Sequence, residues 1–121
     1  MPRPILDEAH IHPAIRDRMA GHQSDIVREV QTVVAANAIV VVGMKQNPFP
    51  MKARKLLDAR GLAYRYLEYG SYLGGWRRRT ALKMWTGWPT FPMVFVKQVL
   101  VGGAADLERL AGKGELEAML K

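Results

Sequence analysis

The run Ile39-Val40-Val41-Val42-Gly43-Met44-Lys45-Gln46-Asn47-Pro48-Phe49-Pro50 decides how the rest of the chain is read. Four consecutive β-branched residues predict a central strand over 39–42, buried on both faces. Asn47 is among the preferred helix caps, and Pro48 suits the first helical position, where no N–H is needed. Pro50 falls in the same first turn, where its missing donor is again tolerated. Strand, short loop and helix N-terminus in that order commonly present an anion or thiol site. Asn47 and Pro50, however, are neither nucleophiles nor strong metal ligands. The framework suggests a reactive site whose central residues lack the chemistry.

Working outward, Ile26, Val27, Val30 and Val34 recur at helical spacing, predicting an amphipathic helix over 25–36. Ser24 reads as its N-cap, Asp25 suits its first turn, and Asn37 reads as a left-handed stop. The helix behind Pro48 runs through Ala53, Leu56 and Leu57 and stops at Gly61. Ala63 to Leu67 reads as a second strand. A glycine- and tyrosine-rich loop, 69–75, leads to a helix over 76–85, with Leu82 and Trp85 facing inward. Gly87-Trp88-Pro89-Thr90-Phe91-Pro92 breaks it. A hairpin over 93–96 and 99–101 turns at Lys97-Gln98, and Gly102-Gly103 leads into helices over 105–111 and 115–119. Residues 1–23 form a polar arm with a short helical turn around Ala14–Met19; residues 24–121 form the domain. A parallel βαβ followed by an antiparallel hairpin implies an α/β fold, a mixed four-stranded sheet flanked by helices.

Composition narrows the chemistry. The 121 residues carry no cysteine, so the chain offers no disulfide, thiolate nucleophile or Cys-ligated metal centre. His10, His12 and His22 are the remaining metal candidates and read better as solvated polar residues. No apolar run is long enough for a membrane span, and the N-terminus lacks the apolar core of a signal peptide. A cytoplasmic protein with no membrane partner is expected. The net charge of +7 is unevenly placed: Lys45 to Lys97 holds eleven Lys/Arg against only Asp58 and Glu68. Such a field attracts anions without selecting among them.

From about Ser24 to Lys121 the sequence resembles a glutaredoxin, a thioredoxin-fold protein, and is most similar to the monothiol branch. Met44-Lys45 ends the first strand as in that branch. Trp88-Pro89-Thr90-Phe91-Pro92 resembles its signature around a cis-proline. Val101-Gly102-Gly103-Ala104-Ala105-Asp106-Leu107, with Gly114-Glu115-Leu116, matches its Gly-Gly turn and C-terminal end. The resemblance implies a Cys-Pro-Tyr/Phe-Cys or Cys-Gly-Phe-Ser motif where this chain has Asn47-Pro48-Phe49-Pro50. Asn47 and Pro50 therefore stand at the positions of the family's two cysteines, and no catalytic residue is expected. Thiol exchange and a bridged iron–sulfur cluster both need the first cysteine, so neither is expected, and no cofactor is required.

The same resemblance implies a glutathione cradle. Lys45 and Arg79 would lie near the ligand's carboxylates. Phe91 would offer its backbone N–H and C=O, strand to strand, beside Pro92. Asp106, at the start of the helix after Gly103, would face the γ-glutamyl end, and Phe49 completes the set. Ala104-Ala105 departs from the family by lacking polar side chains common in that turn.

The expected function is a non-catalytic glutaredoxin-like protein that binds glutathione or a peptide-like anion as a redox-related sensor or adaptor. Two other readings stay open. One is a glutathione-transferase-like enzyme using Asn47. The other is a nucleic-acid or protein interaction module on the basic Trp76-Arg77-Arg78-Arg79 face, which also reads as a solvated helix surface. Lys45 reads equally as an ordinary strand-end lysine, Asn47 as a simple cap, and the four tyrosines, Tyr64, Tyr66, Tyr69 and Tyr72, as packing groups.

Overall fold

A computed structural model of the chain describes residues 3–71 and 73–121. Four strands, β1 (Ile39–Gly43), β2 (Arg65–Glu68), β3 (Met93–Val96) and β4 (Val99–Gly102), form one mixed sheet in the order β2-β1-β3-β4. β1 pairs parallel with β2 and antiparallel with β3, and β3 pairs antiparallel with β4. Among the described residues six α-helices accompany it: α1 (Pro13–Gly21), α2 (Ser24–Ala36), α3 (Pro48–Ala59), α4 (Trp76–Thr86), α5 (Ala104–Gly112) and α6 (Glu115–Met119).

The β-branched run works as its composition predicts. All five β1 residues are buried, and their side chains alternate between two cores. Val40 and Val42 join Met93, Phe95 and Leu67 beneath Ile26, Val30 and Val34 of α2 and Leu82 of α4. Ile39 and Val41 join Val94 and Val96 beneath Leu57 of α3, Leu107 of α5 and Leu116 of α6. Each such side chain, fully buried, is worth about 1.5–3 kcal/mol. A strand whose neighbours lie on both sides and both faces fixes the register of everything around it.

Several local expectations shift. The α2 helix begins at Ser24 itself, behind Gln23 in a left-handed conformation, so Ser24 is the first helical residue rather than its cap. Asn37 is extended (φ −132°), not left-handed, and its side-chain Nδ2 donates to Val33 O. That bond closes the helix end without a positive φ. β2 runs two residues later at its start, and helix α3 ends at Ala59 with left-handed Gly61 just beyond. Trp85 reaches inward only in part: it stacks on the buried Phe95, centroids 6.0 Å apart, and stays 36% exposed. Its i+3 spacing from Leu82 sets the correct helical stripe, and the indole lies at that stripe's exposed edge. The N-terminal arm is more ordered than a single turn. A short 3-10 helix, Glu8–His10, precedes α1, and Ile11 between them is buried. Tyr72 lies outside the described residues.

Candidate functional site

The site forms where three chain segments meet at one end of the sheet. The first is the β1–α3 connection. Asn47 caps α3: its Oδ1 accepts from Phe49 N–H at 3.0 Å, and Pro48 takes the first helical position, as the sequence predicts. The second is the segment before β3. Gly87 ends α4 in a left-handed conformation with its N–H on Lys83 O at 2.7 Å. The Thr86 hydroxyl accepts from Trp88 N–H at 3.1 Å while donating to Leu82 O, which sets the direction in which Trp88 to Pro92 leave the helix. The Phe91–Pro92 peptide is cis, and both residues are buried. The third is the start of α5, where Asp106 Oδ2 accepts from Gly103 N–H at 2.9 Å.

Asn47 joins the first two segments. Its Nδ2 donates to Phe91 O at 3.3 Å, across 44 residues of sequence. One carboxamide therefore caps a helix with its oxygen and clasps the proline loop with its nitrogen. Pro50, by contrast, is buried and turns away into the core against Gly43. A Cβ on Gly43 would stand 2.8 Å from Pro50 Cβ and 2.9 Å from Tyr66 Oη, so only glycine admits this close approach of α3 to β1.

Between these segments lies a cavity of about 560 Å³. Asn47, Phe49, Phe91, Pro92 and Asp106 line it together with Arg79, Lys83, Trp88, Thr90 and the Gly103-Ala104-Ala105 backbone. The size suits a small-molecule ligand. Its floor is largely apolar and its cationic side chains come from one side, where Arg79 and Lys83 stand one turn apart on α4. Lys83 Nζ lies 5.8 Å from the Phe91 ring centroid. The backbone N–H groups at the start of α5 add positive potential opposite.

The candidate residues separate into distinct situations. Arg79 is only 8% exposed, and its Nη1 donates to Tyr69 O at 3.1 Å and Gly74 O at 2.7 Å. It lines the cavity while holding the loop behind it. Asp106 has its carboxyl held below the usual range, first by the Gly103 N–H and also by Arg109, whose Nη2 lies 2.6 Å from Oδ1. A carboxylate so well supplied with donors stays charged and fixes the turn. Lys45 is exposed and is not among the cavity-lining residues; its backbone N–H donates to Gly70 O at 2.8 Å. Lys83 and Trp88 went unassigned in the sequence. The signal for Lys83 was its i+4 spacing from Arg79, which puts both cations on one helix face.

Comparison with known proteins identifies the family and the fold. The family model described as Glutaredoxin matches residues 39–101. A glutaredoxin-like protein of Dictyostelium discoideum is 43% identical over 100 residues, covering 83% of this chain and 81% of its own. This chain belongs to the glutaredoxin family. A probable monothiol glutaredoxin of Legionella pneumophila is 33% identical over 78 residues, covering 64% of this chain and 84% of its own. Among solved structures, the buckwheat glutaredoxin–glutathione complex superposes with a TM-score of 0.73 at 27% identity, covering 82% of this chain and 90% of that one. The mixed sheet with flanking helices is thus the thioredoxin/glutaredoxin-like fold, with the N-terminal helices in addition. The sequence of this glutaredoxin-family chain contains no cysteine at all.

Proposed function

We propose that this glutaredoxin-family protein binds glutathione, or a peptide-like anion of similar shape, as a ligand and not as a thiol-exchange partner, serving as a redox-related sensor or adaptor. The observation that carries the reading is the cavity bounded by the Asn47 cap, the Phe91-Pro92 backbone and the start of α5, with cations on one wall and no thiol at its centre. The buckwheat relative, solved as a glutathione complex, supports the ligand class.

In this reading Arg79 and Lys83 attract one carboxylate from α4. The Phe91 N–H pairs with an extended stretch of the ligand, beside a carbonyl that already accepts from Asn47. The N-terminal amides of α5 receive the second carboxylate, with Asp106 facing the ligand's amino group. Phe49 and Pro92 supply apolar contact, and Lys45, outside the lining, contributes through its field alone. Asn47 replaces the nucleophile with a clasp that holds the walls together.

The test is a titration followed by amide NMR, run with glutathione and with S-methylglutathione. Both are expected to shift Phe91, Thr90, Ala105 and Asp106 saturably and with similar affinity, because no thiolate takes part. Unmoved amides at millimolar ligand would sink the proposal. Binding of the free thiol alone would point instead to direct thiol contact at Asn47.

A further inference from the structure

The Trp76-Arg77-Arg78-Arg79 run is only partly absorbed by the cavity. Arg79 turns inward; the three residues before it stand in solvent at the start of α4. They adjoin a tight turn in which Ser71 N–H donates to Gly74 O at 3.0 Å and Gly74 N–H donates to Ser71 O at 3.2 Å. The neck of this turn is narrow. Gly70 and Gly75 are both left-handed and nearly touch, so that a Cβ on Gly75 would stand 2.9 Å from the Gly70 Cα. The buried Arg79 guanidinium ties the two sides through Tyr69 O and Gly74 O.

What this neck presents is apolar and cationic together. Leu73 is 90% exposed and Trp76 61% exposed, within four residues of each other. Arg77 lies over the Trp76 ring at 5.3 Å, and Lys45 is hydrogen-bonded through its backbone to Gly70 at the base of the turn. Arg78 is shared with Asp25 at 3.6 Å. No carboxylate occurs in the sequence between Glu68 and Asp106. Leu73 and Trp76 thus add exposed apolar surface to a cationic edge, the combination that marks an interaction site.

We propose that this turn is a docking tip for an anionic phospholipid surface. Leu73 and Trp76 enter the headgroup boundary, and Arg77 and Lys45 meet lipid phosphates around them. Tryptophan prefers that boundary, where its ring is apolar and its N–H stays wet, and basic side chains favour the negative leaflet. No helix among the described residues is long and apolar enough to cross a membrane, so the contact is peripheral. The absence of a spanning run in the sequence does not speak to it. Single-stranded nucleic acid accounts for Arg77 and Trp76 but not for the Leu73 tip, and it loses Arg79, which is buried.

The experiment is co-sedimentation of the full chain with vesicles of mixed phosphatidylglycerol and phosphatidylcholine, against pure phosphatidylcholine. Binding to the anionic vesicles only, weakened by high salt, is expected. Leu73→Asp, checked for an unchanged far-UV spectrum and melting point, should weaken it at least about tenfold, and Arg77→Glu should also weaken it. Should Leu73→Asp unfold, brominated lipids should quench wild-type tryptophan fluorescence and lose much of that quenching in Trp76→Phe. Equal binding to neutral vesicles, no vesicle binding, indifference to these substitutions, or capture of oligonucleotide but not lipid would each overturn the proposal. The tip's test is independent of whether glutathione occupies the cavity.

Discussion

At the scale of single residues, Asn47 carries the most consequence. Its oxygen caps α3 and its nitrogen holds Phe91 O, so truncation removes two restraints from the same spot. Asn47→Ala should cost about 1–2 kcal/mol, the usual value of a lost cap with one further hydrogen bond. The measurement is a shift of the urea midpoint at unchanged slope. A loss near zero would mean that solvent replaces both bonds. The cap was legible in the sequence because capping is local chemistry, readable from Asn-Pro alone. The clasp was not, since it depends on a carbonyl 44 positions away that only the folded sheet brings close. Arg79 shows the same divide. Its place near the cavity was legible from the family pattern, while its grip on Tyr69 O and Gly74 O required the loop to fold back over α4.

At the scale of elements, β1 was legible almost to the residue, because four β-branched residues in a row suit only a strand covered on both faces. Trp85 was legible only in part, because periodicity gives a direction and not how far neighbouring elements cover the side chain. The β3–β4 hairpin offers a test of local design. Lys97 and Gln98 both adopt positive φ, 49° and 68°, the demand of a primed two-residue turn. Neither residue favours that region, and each pays about 1 kcal/mol for it. Replacing the pair by Lys97→Asn with Gln98→Gly should raise stability by roughly 1 kcal/mol. A higher thermal midpoint with an unchanged ligand titration is the expected result; an unchanged midpoint would show that strand pairing and not the turn sets the hairpin's stability.

For the whole molecule, two phenols link its two cores to alkaline pH. Tyr66 packs against the α3–α5–α6 side and Tyr69 belongs to the α2–α4 side. Burial first, then the neighbouring carboxylates Glu68 and Glu29 respectively, push both up to about 12. In the unfolded chain a tyrosine ionises at about 10. Between those values the unfolded state has released protons that the native state retains, so stability falls as pH rises through the window. Denaturation midpoints should hold steady below it and drop across it. Tyr66→Phe and Tyr69→Phe should each flatten the drop by part, and a profile unchanged in both variants would assign the alkaline loss elsewhere. The close approach of Gly43 and Pro50 has its own consequence at this scale. Position 47 opens on the cavity, whereas position 50 is sealed beneath the first strand. Cysteine substitution is therefore lopsided: a sulfur at 47 would stand at an open mouth, while one at 50 would take the buried place of the ring, away from the cavity lining. Exchange chemistry built into this framework would therefore have to start from a single thiol at position 47.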